Sequence, residues 1–383
     1  MRFIHLADLH LGRSLAEFSL IGLQKEFLDK IVAFAAAEAV DAVVVAGDVY
    51  DRSTPSIQAV NLLSGFLSSL TELGVPALVI AGNHDSPDRL AFLSGILGRS
   101  GIHIAGDYRL GQPPVTLRDA CGPVNFFLLP FFRPGLIRAQ AEGETVAGYD
   151  DAVRVAVSRM PVDPAQRNVL VAHQFVCAGG QIPLRSDSEM IFAGGTELVS
   201  AAHFAPFDYV ALGHLHLAQR VGGETVRYAG APLCYALGES GAAKSFTVVE
   251  MGEKGEVRVR QEPFCPSIAL RSVRGRLEDI LDAPPADNDG DFLEVTLTDE
   301  EPVYDAMQRL RARYPRTVNV RRERDMMRAM PEGGVSAAAE SRHDPLAAFR
   351  RFAEEITGQP LSGEEDAEMT DILRRAVEEE EDA

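Results

Sequence analysis

No stretch of this chain stays apolar for the roughly 20 residues that a helix needs to cross a bilayer. Its densest runs, such as IVAFAAAEAV at 31 to 40, are short and interrupted. A membrane span is therefore not expected. A secretory leader is not expected either, because RFIHLA at the start reads as a strand and charged Asp8 follows at once, so the cytoplasm is the expected compartment. Cysteine is scarce. Cys121, Cys177, Cys234 and Cys265 lie far apart without a CxxC pair, which argues against a zinc knuckle or a redox motif and leaves them as reduced core thiols. Cations are in deficit too: 37 Lys and Arg face 56 Asp and Glu, a net charge of -19. A protein that grips duplex DNA unaided draws on Lys and Arg to displace counterions from phosphates, so any nucleic acid here needs help to be held.

What is present is a large apolar fraction, 46% of 383 residues, enough for one large core with smaller appended units. Short apolar runs recur with helical segments between many of them: RFIHLA (2 to 7), AVVVAG (42 to 47), ALVIAG (77 to 82), NFFLLP (125 to 130), VLVAH (169 to 173) and YVALGH (209 to 214). Near-continuous apolar strands of this kind suit a sheet covered on both faces. Five of the six run straight into a polar cluster, and open α/β sheets place ligands just beyond the carboxyl ends of their strands. Runs at 245 to 251 and 257 to 264 read as a hairpin closing this first unit, 1 to 265. From 268 to 330 the pattern becomes strand, helix, strand, helix, strand, a small α+β domain. It carries eight arginines from Arg309 to Arg328 against Glu323 and Asp325, either a solvated face or a phosphate-tracking patch. A linker at 331 to 342 follows. Residues 343 to 383 read as two capped amphipathic helices, with Leu346, Phe349, Phe352 and Ile356 on one face and Met369, Ile372, Leu373, Ala376 and Val377 on the other helix.

Five clusters carry chemistry: Asp8 and His10 in ADLH, Asp48 and Asp51 in GDVYD, Asn83, His84 and Asp85 in GNHD, His173 in VAHQ, and His214 and His216 in GHLH. Each alone is weak, since a DxH or HxH is common by chance. Together they take five of the nine histidines and sit in order at strand ends. Strand alternation puts Asp8 and His10 on one side, and likewise His214 and His216. The same alternation turns His5 to the opposite side, for a role in the core or behind the ligands and not in ligation. Mixed carboxylate, imidazole and amide donors suit divalent ions of intermediate hardness with positions left open, and the lack of a thiolate argues against a closed structural zinc site. Two such ions about 3.5 to 4 Å apart can activate water and neutralise charge on a phosphoryl group.

These blocks resemble the five signature motifs of the calcineurin-like metallophosphoesterases, over about residues 1 to 265. The resemblance implies an α/β sandwich of two sheets flanked by helices. It implies one ion on Asp8, His10, Asp48 and His216 and a second on Asp48, Asn83, His173 and His214, with Asp48 as the bridge. His84 would stand by the leaving-group oxygen, oriented by Asp51. More narrowly, MRFIHLADLHLGRSL, GDVYDRSTPS and AGNHDSPDRL resemble the SbcD family, the nuclease partner of the SbcC ATPase. That resemblance covers nearly the whole chain. It implies a manganese-dependent DNA exonuclease and endonuclease acting at ends and hairpins in DNA repair and recombination. The small domain would cap DNA, residues 343 to 383 would bind an SbcC-type subunit, and a homodimer is compatible with it. One position departs from the family pattern: Leu9, expected on the cleft floor, stands where an aromatic is common, and the chain has no tryptophan. Two other readings remain open, a phosphodiesterase acting on a small phosphodiester or phosphoprotein, and a non-catalytic scaffold. His103, His203 and His343 read as surface or capping residues, and Arg52 and Arg89 as candidates for phosphate contact.

Overall fold

The six apolar runs form the strands Arg2–Leu6, Ala42–Ala46, Ala77–Ile80, Gly122–Leu129, Arg167–His173 and Tyr209–Gly213, and these divide equally between two six-stranded sheets. The computed structural model describes residues 1–186, 197–325, 346, 349–350, 353, 361–363 and 365–372. In the first sheet the order is Val257–Phe264, Lys244–Met251, Arg2–Leu6, Ala42–Ala46, Ala77–Ile80 and Ile102–Ala105. The last four strands are parallel, and the hairpin of the first two is added antiparallel to Arg2–Leu6. The second sheet runs Gln219–Val221, Gly223–Tyr228, Tyr209–Gly213, Arg167–His173, Gly122–Leu129 and Val115–Asp119, with a parallel centre and antiparallel edges.

Alternation along these strands sorts the core into three layers. Phe3, Val44, Leu78 and Ile80 of the first sheet meet Phe126, Val169, Val171 and Tyr209 of the second. Phe3 packs edge-on against Phe126, with ring centroids 5.4 Å apart. The opposite face of the first sheet, with Ile4, Val43 and Val45, is covered by the helices Ile21–Ala37 and Ile57–Glu72. The outer face of the second, with Leu170 and Leu212, is covered by Pro134–Gln140 and Tyr149–Ser158. Each large side chain buried this way contributes about 1.5–3 kcal/mol. The result is a helix, sheet, sheet, helix sandwich, and its parallel strands deliver their carboxyl ends to one rim. Among the described residues no helix is long and apolar enough to cross a membrane.

Beyond it, Leu270–Gly275, Phe292–Leu297 and Thr317–Arg322 form a three-stranded sheet, all parallel, crossed by the helices Leu277–Leu281 and Ala306–Arg313. Leu293, Val295, Leu310 and Tyr314 make its own core. Leu270, Phe292 and Val318 belong to the large core instead, and Phe292 lies 5.7 Å from Phe18, so the small sheet is seated on the first helix layer. Seven of its described arginines are engaged with acids and carbonyls. Arg309 pairs with Glu278, Arg311 with Glu17, Arg313 with Asp289 and Arg321 with Glu294, while Arg316, Arg322 and Arg324 reach main-chain oxygens. Arg328 lies outside the described residues, as do the linker, His343 and most of 343 to 383.

The expectation of core thiols needs correction. All four cysteines are free, but Cys121 and Cys265 are exposed and Cys177 and Cys234 half-buried, since they fall at strand ends and turns and not within strand interiors.

Candidate metal centre

Three main-chain links join the first two blocks before any side chain is considered. Asp8 N donates to Gly47 O at 3.1 Å, His10 N to Asp48 O at 2.9 Å and Leu11 N to Val49 O at 2.9 Å, so the parallel pairing of the first two strands continues into the rim. Asp85 ties in the third block, its buried carboxylate accepting from Val49 N, Tyr50 N and Gly82 N at 2.8–3.0 Å. Burial and the nearby charge of Asp48 push that carboxyl up to about 6. The second sheet is joined across the gap: His214 N donates to Asp8 Oδ1 at 2.9 Å, and His173 Nδ1 donates to Ala46 O at 2.8 Å.

The side chains singled out in the sequence come together at this rim. His10 Nε2 is 3.1 Å from His216 Nε2. Asp48 Oδ2 lies 3.6 Å from His10 Nε2 and 3.4 Å from His173 Nε2, while Asp48 Oδ1 accepts the N–H of His84 at 2.9 Å. Asn83 Oδ1 is 2.9 Å from His173 Nε2 and 3.1 Å from His214 Nδ1. Possible ligand atoms of Asp8, His10 and His216 all lie within 4.8 Å of one another, as do those of Asp8, Asp48 and His173. Asp48 thus stands between an Asp8–His10–His216 group and an Asn83–His173–His214 group.

Backbone shape matters as much as donor type. Among the described residues eight non-glycine positions have positive φ, and Asp8 (53°), His10 (42°), Asp48 (50°) and His214 (105°) are half of them. Such conformations cost about 1–3 kcal/mol each and persist where the surroundings over-determine them. Glycine precedes a donor in three blocks for a related reason. A Cβ on Gly47 would collide with the His173 ring, on Gly82 with Asp48, and on Gly213 with Ala46 O.

Electrostatics test whether divalent ions fit. Burial lowers His10, His214 and His216, with His214 down to about 3, so these imidazoles are neutral with lone pairs to give. For His173 burial opposes the charge, but Asp48, Asp8 and the bond to Ala46 O outweigh it and push the ring up to about 9. With protein groups alone, Asp48 draws a proton into the centre. A cation among the same atoms supplies that charge instead, so the donor set fits divalent metal.

Of the other residues singled out in the sequence, His5 and His203 lie where expected, in the core and at the surface, while His84, Asp51 and Leu9 do not. His84, half-buried, has Nδ1 donating to the main-chain oxygen of Asp51 at 3.1 Å; the Asp51 carboxylate turns to Arg13 at 2.9 Å, so its side chain does not orient His84. Leu9 is in the hydrophobic core and not on a cleft floor, and its carbonyl accepts from Tyr235 Oη and Gln24 Nε2. His5 is buried against Tyr209 Oη at 3.0 Å, and burial drops it to about 3. His203 sits 2.8 Å from Asp150. Arg89 is held by Thr54 at 2.7 Å, whereas Arg52 is largely exposed. Sequence reasoning passed over Glu239 and Gln24. Glu239 faces His216 Nδ1 at 3.5 Å, and His216 and Lys244 hold its carboxyl down at about 2 against the effect of burial. No strand end or spacing marks either residue. The three glycines did carry a signal, each standing directly before a donor.

Residues 1–217 match the family model of the calcineurin-like phosphoesterases. The chain belongs to that family. Residues 266–357 match a second model, the SbcD C-terminal domain, described as the type 5 capsule protein repressor C-terminal domain, and the two together make this an SbcD-type metallophosphoesterase. Among solved structures, a protein of Thermus thermophilus is 13% identical, with 68% of this chain and 98% of that chain covered and a TM-score of 0.38. A dimetal phosphatase from Danio rerio is 13% identical, with 69% and 96% covered and a TM-score of 0.39. Yfce, a phosphoesterase from E. coli, is 10% identical, with 65% and 88% covered and a TM-score of 0.26. Membership of the family makes the chain a phosphoester hydrolase, and its clustered Asp and His donors support divalent metals. When bound, the ions supply Lewis acidity to a phosphoryl group and its attacking water.

Proposed function

We propose that this phosphoesterase is the nuclease subunit of an SbcCD-type complex, hydrolysing phosphodiester bonds at DNA ends and hairpins with two manganese ions in the cytoplasm. Asp8, His10, Asp48 and His216 would hold one ion and Asp48, Asn83, His173 and His214 the other. The observation that carries the reading is the position of Asp48 Oδ2 between His10 and His173 in a chain that continues into an SbcD C-terminal domain. His84 acts from beside the centre. Its Nδ1–H is spent on the Asp51 carbonyl, which leaves Nε2 to hold or deliver a proton at the leaving-group oxygen.

The charge distribution favours a partner. The chain carries a net charge of -19, and most described arginines of the small domain are engaged with acids or carbonyls. Little cationic surface is left to displace counterions, so the grip on DNA falls to an SbcC-type ATPase bound through residues 343 to 383. The test is cleavage of blunt and hairpin duplexes with manganese, with and without that ATPase, beside a small chromogenic phosphodiester. Cleavage of the small ester alone under all conditions would refute the nuclease reading and favour a small phosphodiester as substrate.

A further inference from the structure

Behind the metal centre lies a buried ion pair that the ligand set does not include. Glu239, 1% exposed, ends the short turn Leu237–Glu239, and Lys244, 8% exposed, begins the strand Lys244–Met251. Lys244 Nζ is 2.6 Å from Glu239 Oε2. The other oxygen, Oε1, faces His216 Nδ1 at 3.5 Å and accepts from Ser186 Oγ at 3.2 Å. His216 Nε2, on the far side of the ring, points at His10 Nε2. Tyr235 is set edge-on to both rings, 5.7 Å from His216 and 5.4 Å from His10.

The geometry points to Glu239 as a positioning residue for the metal centre, acting through His216, with Lys244 holding the carboxylate in place. An imidazole can ligate through Nε2 only when the proton sits on Nδ1, and which nitrogen carries it is set by the partner of the other. A carboxylate facing Nδ1 selects that tautomer and fixes the ring plane. Removing two charges from water is costly, and the pair is stable here because each partner satisfies the other. Its usefulness lies in that fixity. Lys244 stands at the start of a strand anchored along Arg2–Leu6, so Glu239 is tied to the same strand whose end carries Asp8 and His10. The proposal rests on His216 being a metal ligand.

The test measures binding of manganese alone by equilibrium dialysis with elemental analysis, at a temperature well below unfolding. Glu239→Gln should weaken one of the two ions by about 10- to 100-fold and leave the other near its wild-type affinity. In a His216→Ala background the same change should add nothing, since residues acting through one contact are not additive. A residue with a merely structural role would lower the melting temperature of the metal-free chain without selecting one ion. Should Glu239→Gln fail to fold because Lys244 is left charged and unpaired, the double variant Glu239→Gln with Lys244→Met removes both charges and should show the same selective loss. Wild-type affinity for both ions in the folded variant, or equal weakening of both, would overturn the proposal while leaving the ligand assignment standing if His216→Ala still loses an ion. Undiminished binding in His216→Ala would overturn both.

Discussion

His84 and His173 are both imidazoles at the rim, yet they touch different things. His173 has one ring nitrogen on Ala46 O and the other among Asp48 and Asn83, whereas His84 gives its main-chain N–H to Asp48 Oδ1 and its ring Nδ1–H to the Asp51 carbonyl. His84→Ala should therefore keep its metal and lose about 10²- to 10⁴-fold in kcat, the usual worth of a positioned proton donor. His173→Ala should lose metal. Elemental analysis beside a phosphodiester assay separates the two, and equal metal loss would show that His84 is a ligand. Asp48→Asn goes further, because its carboxylate lies between both donor groups: metal content should fall and hydrolysis should cease. Near-normal turnover in that variant would exclude a shared carboxylate.

At the scale of elements, Arg167 holds the two sheets together at the end opposite the metal rim. Almost fully buried, it bonds Asp119 with two nitrogens and also reaches Gly122 O and Gly252 O, so one guanidinium joins hairpin turns of both sheets. Arg167→Ala should cost about 3 kcal/mol, measured by denaturant unfolding, since it leaves the carbonyls of Gly122 and Gly252 without this donor and the Asp119 carboxylate with only the Met1 ammonium and Cys121 N–H. The hydrogen bonds from Arg167 hold the Asp119 carboxyl well below its ordinary value. A lowered folded-state pKa stabilises the fold above the unfolded value and loses that contribution as pH falls through the depressed one. Asp119→Asn should thus melt lower than wild type near neutrality, and the gap should narrow as the solution is acidified below about pH 4.

Elements were legible because the strands are short, β-branched and bounded by polar clusters; RFIHL and AVVVA admit no helical face. Donors were legible because each follows a strand directly. Three kinds of feature were not. Cross-sheet contacts such as His214 N to Asp8 depend on how two sheets pack, which no local pattern records. The Asp51 contact to His84 runs through a main-chain oxygen, which residue type does not reveal. Glu239 reaches the centre from a turn far along the chain, in a stretch, GESGAAK, without periodicity.

For the whole molecule, the catalytic unit and the partner-binding reading of 343 to 383 separate cleanly in experiment. A chain ending at Glu340 should keep its metals and cleave a small phosphodiester at an undiminished rate. It should fail to co-purify with an SbcC-type ATPase and lose ATP-dependent processing of DNA ends. Full-affinity assembly of the shortened chain would refute the assignment of that region.

The division of donors between the sheets has one more consequence. Asp8, Asp48 and Asn83 follow strands of the first sheet, and His173, His214 and His216 end or follow strands of the second. Ion binding and the docking of the two sheets are then a single linked equilibrium, and a hundredfold excess of ion over its Kd should add about 2.7 kcal/mol of stability, read as a rise in Tm with ion concentration. The same coupling acts in the other direction. A chain with only one sheet formed, as during synthesis or after local opening, would offer the donors of that sheet alone, so hydrolysis is expected only once the entire sandwich has closed.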